Sequence, residues 1–380
     1  MGRINVGGCV PVEDGTSLSY QEFRERYLLP NKPVLVTGLM EHWRASRDWV
    51  DDHGKPDLEF LARNFGGSKI QLLQVADCGE REFTDQKRLE MTVSEFVTHW
   101  KSDDPERRAL LYLKDWHFVK EFPDYGAYET PIFFSDDWLN QFLDSNSWHS
   151  SGDTVPSSDY RFVYMGPAGT WTPLHADVFR SYSWSGNVCG RKRWHLLPPE
   201  QTPFLFDRHK KNTVYDIYGT VDEFPDFSKT SWTECIQNPG DIIFVPSGWY
   251  HQVTNLEDVI SINHNWFNAC NLHWVWRLLE DDYRDTVASI EDVRDISDDF
   301  ETLCQRNLAA NSGMNYKDFV VFLAGILEMI LDRKDNTYLS FDLLSVKSVL
   351  LNVVSARVHQ DLCDYVIGLL SKIQTILETM

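Results

Sequence analysis

Basic charge is what this chain has least of. Lys and Arg number 36 against 57 Asp and Glu, a formal net charge of −21. So acidic a chain repels phosphate backbones, which argues against direct nucleic-acid binding as its main activity and favours basic protein partners. Cysteine is sparse and unpatterned: Cys9, Cys78, Cys189, Cys235, Cys270, Cys304 and Cys363 are scattered, odd in number and include no C-x-x-C pair. That excludes zinc-finger reader modules and a disulfide framework, and predicts a reduced compartment, the cytoplasm first with the nucleus as the alternative. Long apolar runs are missing too. The run 320–331 contains Gly325 and Glu328 and is too short to span a bilayer, so it reads as a buried helix. No charged-then-apolar signal opens the chain, and Gly2 is followed by Val6 where a myristoylation pattern needs Ser or Thr. The expectation is a soluble intracellular enzyme with no membrane contact.

What is present suffices for sizeable cores. With 42% hydrophobic and 13% aromatic residues over 380 positions, the chain can build one large domain plus a smaller one. Residues 1–19 are Gly-rich and expected to be loose apart from a short strand at 4–10. Residues 20–150 read as mixed α/β, with a helix at 20–27, a strand at 33–37, a helix at 93–101 capped by Thr92, and surface loops across 115–160. From 151 to 270 short strands separated by Gly/Pro turns predict an antiparallel sandwich or barrel. Residues 271–380 turn helical: Leu272, Trp276, Leu279 and Tyr283 recur at helical spacing, as do Leu362, Val366, Leu369, Ile373 and Leu377. Those stripes read as internal packing, with an oligomer surface as the minority reading. The acidic run 280–301 reads as a solvated face, with docking of a basic substrate as the alternative.

Three separated residues carry chemistry. In TWTPLHADVFRSYSW, His175 and Asp177 stand at i and i+2, so on a strand both project from one face. The apolar strand and Gly/Pro turn before them place the pair at the start of a new strand. His251 follows 74 residues after Asp177, beyond the turn N-P-G-D and the apolar run Ile242-Ile243-Phe244-Val245. Two histidines and one carboxylate make a facial triad that leaves positions open for substrate and oxygen, which suits non-haem Fe(II) better than closed structural zinc. The plainer alternative is a set of solvated or hydrogen-bonded side chains, since 12 histidines make an H-x-D fairly common by chance. Between the two halves, alternation puts Lys192, Trp194 and Leu196 on one strand face and Arg191, Arg193 and His195 on the other. An ammonium among Trp and Leu is costly unless it meets an anion, which points to a carboxylate-bearing cosubstrate. A snorkelling lysine at a strand edge is the competing explanation.

The set T-P-L-H-A-D, W-S-G-N-V-x-G-R-K-R-W-H-L-L-P-P and P-G-D-I-I-F-V-P-S-G-W-Y-H-Q-V-x-N-L resembles the jumonji-C family of Fe(II)- and 2-oxoglutarate-dependent oxygenases. An upstream segment, F-R-E-R-Y-L-L-P-N-K-P-V-L-V-T-G at residues 23 to 38, is similar to the entry strand of its small hydroxylase branch. The resemblance covers roughly residues 20 to 270. It implies a double-stranded β-helix, a jelly-roll or cupin-like core that is mainly β, with N-terminal α/β elements and a C-terminal helical region. It implies His175, Asp177 and His251 as iron ligands and Lys192 as the anchor for the distal carboxylate of 2-oxoglutarate. Thr172 and Tyr112 match polar cosubstrate contacts. Ser185 stands where a close branch has Asn, and Asn263 where it has Thr, both still able to hydrogen-bond.

The same resemblance implies Fe(II), 2-oxoglutarate and O2 as cofactor and cosubstrates, with ascorbate as a supporting reductant. The implied reaction is hydroxylation of a lysine side chain at C4 in the translation termination release factor, a protein substrate. Lysine demethylation is an alternative within the family. A non-catalytic cupin-like scaffold that binds partners through its helical C-terminus is the alternative from another class.

Overall fold

The computed structural model describes residues 4–74, 88–102, 110–145, 159–219, 221–356 and 360–380. The chain divides into two units, one of Met1–Ser135, Tyr160–Asp177 and Tyr182–Asn265, the other of Asp136–Asp159, Val178–Ser181 and Trp266–Met380. The first unit carries strands β1 (Val6–Cys9), β2 (Val12–Asp14), β3 (Val34–Thr37), β4 (Lys69–Gln74), β5 (Arg88–Thr92), β6 (Leu111–Trp116), β7 (Arg161–Gly166), β8 (Trp171–His175), β9 (Tyr182–Cys189), β10 (Lys192–Leu197), β11 (Trp232–Gln237), β12 (Ile242–Val245), β13 (Tyr250–Asn255) and β14 (Val259–Trp266). They form a five-stranded sheet in the order β1-β11-β10-β13-β8 and a nine-stranded sheet in the order β2-β3-β12-β9-β14-β7-β6-β4-β5.

From β7 onward the chain changes sheet at every connection except β10 to β11 and so winds a double-stranded β-helix. Within each sheet, strands distant in sequence become neighbours: β13 lies between β10 and β8, and β9 pairs with β12. This is why residues far apart in sequence meet. Trp194, Leu196 and Val253 of the five-stranded sheet share one buried cluster with Leu35, Ile243 and Val245 of the nine-stranded sheet. At about 1.5–3 kcal/mol for each side chain taken fully from water, this layer is a main holder of the two sheets against each other. The opposite face of the five-stranded sheet is covered by a second cluster that includes Leu174, Leu197, Leu205, Phe227 and Trp232. The architecture is the mainly β, jelly-roll arrangement with helices that the sequence pattern and its resemblance led us to expect.

Among the described residues of this unit are the helices α1 (Tyr20–Phe23), α2 (Arg44–Asp48), α3 (Leu58–Phe65), α4 (Val93–Trp100) and α5 (Phe118–Glu121). The expected helix at 20–27 starts with a Ser19/Glu22 capping box and widens into a π-turn over Arg24–Leu28. Thr92 caps α4 as expected, with Glu95 completing the box. The N-terminal segment is more ordered than its glycines suggest, because Val12–Asp14 pairs in parallel with β3 after β1 has paired in parallel with β11. The stretch 115–160, expected as loops, holds α5 and a tight turn at Ile132–Phe134, and its aromatics Phe118, Phe133, Phe134 and Trp138 are buried. Burial of aromatic area there outweighs local turn chemistry; the part of this stretch at 146–158 and Cys78 lie outside the described residues.

The second unit holds α6 (Trp138–Asp144), α7 (Leu272–Ser289), α8 (Phe300–Ser312), α9 (Tyr316–Leu331), α10 (Leu339–Ser355) and α11 (Gln360–Thr379). The expected stripes face inward: Leu272, Trp276 and Leu279 of α7 and Val366, Leu369 and Ile373 of α11 are buried. Much of the acidic run is engaged within the unit. Asp281 pairs with Arg180 and Arg284, Glu291 pairs with Arg294, and Asp299 caps α8. Among the described residues no helix is long and apolar enough to cross a membrane.

Candidate active site

The site is built on register. Side chains directly opposite one another on paired strands share a face. Lys192 stands opposite Asn255, Trp194 opposite Val253, and Leu196 opposite His251 across β10 and β13. On the other side of β13, Val253 faces Thr172 and His251 faces His175. Two residues advance on β13 while three advance on β8, so β8 carries a bulge. The extra residue is what allows Thr172 and His175, three apart, to share the inner face, while Leu174 packs into the cluster on the outer face.

One local expectation is corrected. His175 is the last residue of β8, not the first of a strand, and Asp177 lies beyond the strand end. Strand alternation therefore does not aim the carboxylate. Asp177 is aimed by Ser183 at the start of β9, whose hydroxyl donates to Asp177 Oδ2 at 2.6 Å. The ligand atoms of His175, Asp177 and His251 all lie within 4.8 Å of one another. His175 Nδ1 is 2.8 Å from the Pro173 carbonyl and His251 Nδ1 is 3.1 Å from the Trp249 carbonyl. A carbonyl only accepts, so each Nδ1 carries the proton and each Nε2 keeps its lone pair for a metal. Burial, with the neighbouring His251 ring adding to it and Asp177 opposing, pushes His175 down to about 3. The imidazole is therefore neutral and ready to ligate without first losing a proton. Ser183→Ala should leave the fold intact and weaken metal affinity about 10-fold or more, the usual cost of losing an orienting partner of a ligand; titration with Mn(II) measures it, and an unchanged affinity would show that the hydroxyl orients nothing.

An anion pocket adjoins the three ligands. Lys192 enters β10 through Gly190, which has a φ of +71 and where a Cβ would stand 2.1 Å from the Asp258 carbonyl oxygen, so only glycine fits. The Lys192 ammonium is buried and donates to Ser261 Oγ on β14 at 2.6 Å, crossing from one sheet to the other. Burial, and then the nearby Lys114 ammonium, push Lys192 down to about 7. Lys114 on β6 is itself pushed down to about 8 by burial, against the pull of Asp115 and Asp177. Among the described residues neither ammonium has a carboxylate partner in an ion pair. Keeping such a charge dry and unpaired costs several kcal/mol, so the pocket fits an incoming carboxylate.

Neutral polar groups complete the pocket. Tyr112 is buried on β6, where its ring lies over Gly166; a Cβ there would stand 2.7 Å from the ring. Burial pushes the phenol up, with the Asn255 side chain pulling the other way. Ser185 Oγ and Asn255 Oδ1 are buried with no hydrogen-bond partner among the described residues. Asn263 donates to the carbonyl and the hydroxyl of Ser261, both at 3.2 Å, and so supports the residue that holds Lys192.

A cupin-like domain model matches residues 20–271. Over 329 residues the chain is 60% identical to the arginine-specific demethylase JMJ20 of Arabidopsis thaliana, covering 84% of this chain and 71% of that protein. It is 42% identical over 319 residues to the 2-oxoglutarate and iron-dependent oxygenase JMJD4 of Danio rerio, covering 81% and 72%. With the human protein of the same description identity is 40% over 332 residues, covering 83% and 75%. The chain belongs to the cupin-like jumonji-C family of iron- and 2-oxoglutarate-dependent oxygenases.

For a jumonji-C oxygenase the two halves of the site have complementary chemistry: two imidazoles and a carboxylate suit Fe(II), and the buried ammonium suits a dicarboxylate. The fold gathers His175, His251, Lys192, Thr172, Tyr112, Ser185 and Asn263 on facing inner surfaces of the two sheets, with Asp177 just beyond the end of β8. Sequence reasoning missed Ser183, Ser261 and Lys114. Lys114 was within reach, since it stands at i+2 from Tyr112. Ser183 and Ser261 have no signal of their own, because a serine acquires its role only from the partner that folding brings to it.

Proposed function

We propose that this oxygenase is a protein hydroxylase acting on a lysine side chain, at C4, in the translation termination release factor, and that it works in the cytoplasm. The observation that carries the enzymatic reading is the preoriented His175–Asp177–His251 set beside an ammonium that lacks a counter-ion among the described residues. When bound, iron and 2-oxoglutarate supply the oxidising chemistry: O2 is consumed, 2-oxoglutarate becomes succinate and CO2, and one oxygen atom enters a substrate C–H bond. His175, Asp177 and His251 would hold the metal, with Ser183 keeping Asp177 in its orientation. Lys192, held by Ser261, would bind the distal carboxylate, with Thr172, Tyr112, Ser185 and Asn263 as polar neighbours. The inner faces of the sheets exclude water, which strengthens every charge–dipole contact made there. In this reading residues 151–270 carry the chemistry, the segments 1–19 and 20–150 complete the oxygenase part, and 271–380 are a helical region that offers a surface for self-association.

A second reading has its own support. The 60% identical relative is named an arginine-specific demethylase, and hydroxylation of an N-methyl carbon uses the same site geometry. Mass spectrometry separates the two. Incubation with Fe(II), ascorbate, 2-oxoglutarate and a release-factor peptide should add the mass of one oxygen to an unmodified lysine. Loss of one methylene from a methylated arginine peptide, with no oxygen gained by the lysine peptide, would overturn the hydroxylase reading. Succinate formation no greater than that of a metal-ligand variant would favour a scaffold.

A further inference from the structure

The β6–β7 pair contains a second bulge beside the site. Leu113 stands opposite Met165 and Trp116 opposite Val163, so Lys114 and Asp115 both stand opposite the single residue Tyr164. The extra residue turns Asp115, which simple alternation would send away from Lys114, toward the same tyrosine. Asp115 takes a left-handed backbone, φ +57, a conformation that is strained for a non-glycine residue and that Asp and Asn tolerate best. The Tyr164 hydroxyl donates to Asp115 Oδ1 at 2.9 Å. Asp115 is exposed, and among the described residues no cation forms an ion pair with it.

Tyr164 is one half of an aromatic wall. Phe162 stacks on Tyr164 with ring centroids 6.1 Å apart, and both are only partly buried. They stand opposite Asn263 and Ser261 on β14, facing the cosubstrate pocket. Tyr164, like Lys114, lies within the electrostatic reach of both Asp115 and the metal-ligand candidate Asp177. An exposed carboxylate beside tyrosine and phenylalanine faces is the chemistry that binds ammonium and guanidinium groups. Lys114 and Asp115 thus both meet Tyr164, the lysine partly buried with its ammonium near the Tyr112 and Tyr164 rings and the aspartate exposed.

We propose that Asp115, fixed by Tyr164 and the Lys114–Asp115 bulge, is the group that binds the cationic end of the substrate's basic side chain and so presents its carbons to the metal. This rests on the iron- and 2-oxoglutarate-dependent reading of the site and adds the determinant of its substrate class. A cationic ligand accounts for an exposed carboxylate that Tyr164 holds in a left-handed turn.

The full chain loaded with Mn(II) and 2-oxoglutarate tests this without turnover. Paramagnetic broadening of the side-chain protons is measured for acetyl-Gly-Lys-Gly-amide and for its norleucine counterpart, which has the methylenes but not the charge. The wild type should bind the lysine peptide about tenfold more tightly, the worth of one charge-assisted hydrogen bond. Asp115→Asn keeps the left-handed backbone and an oxygen for Tyr164, so it should fold alike and yet lose the preference. Tyr164→Phe, which only frees the carboxylate to move, should lose part of it. A preference that persists in Asp115→Asn, or is absent from the wild type, overturns the proposal. Failure of the oxygenase reading would look different, as a Mn(II) spectrum that does not respond to 2-oxoglutarate before any peptide is added.

Discussion

His175→Ala should reduce succinate formation by more than about 10²-fold, because losing merely the orienting partner of a metal ligand costs 10–100-fold and losing the ligand must exceed that. The reason is specific to this site. His175 is held neutral by burial and locked by its Nδ1 bond to the Pro173 carbonyl. It therefore contributes a preformed lone pair, and water entering the space left by alanine would be neither fixed nor excluded. The His175 and His251 ring centroids are 4.2 Å apart, so either ring alone faces the same gap. The double variant His175→Ala/His251→Ala should then be little worse than the single one, as for any set of groups that acts as a unit. Direct titration with Fe(II) or Mn(II) and succinate release are the two readouts. Turnover within tenfold of wild type would show that the catalytic metal is held elsewhere.

How much of this was legible before folding differs from element to element. The apolar run Ile242–Val245 announced itself and lies buried at all four positions in the larger sheet. The inward face of Lys192, Trp194 and Leu196 followed from alternation alone, and all three side chains are buried. Alternation misled where the strand ended. His175 and Asp177 appeared as a same-face pair, yet only His175 is on the strand, and the carboxylate depends on Ser183. The two bulges were invisible for a related reason. Each is a count of residues on one strand against its partner, and that count exists only once the partner is known. The outward residue His195 shows the same limit: it is buried although it alternates with the inward set, because the five-stranded sheet is covered on both faces.

Lys192→Met should act with opposite sign on the two quantities it touches. Methionine nearly matches the lysine in volume and needs no counter-ion, so in the absence of cosubstrate the variant should be at least as stable as wild type to heat. Affinity for 2-oxoglutarate should fall by at least about 10²-fold, the consequence of leaving a buried carboxylate without its cation. pH separates the causes further. Burial sets Lys192 at about 7 in the folded, ligand-free protein, below its value in an unfolded chain. Above about pH 7 the unfolded chain binds the extra proton and the folded one does not, so stability of the wild type should rise as pH increases through this range. The dicarboxylate, by contrast, selects the ammonium form. Its affinity should be level below about pH 7 and decline above it by up to about tenfold per pH unit, until the raised value of the bound lysine is reached. The methionine variant should lose the part of each trend that begins at about pH 7 and keep only what Lys114, pushed down to about 8, contributes at higher pH. Calorimetry of 2-oxoglutarate binding to the Mn(II)-loaded protein and thermal melts across pH 6 to 9 measure both, and a pH-independent affinity in the wild type would show that Lys192 does not face the cosubstrate.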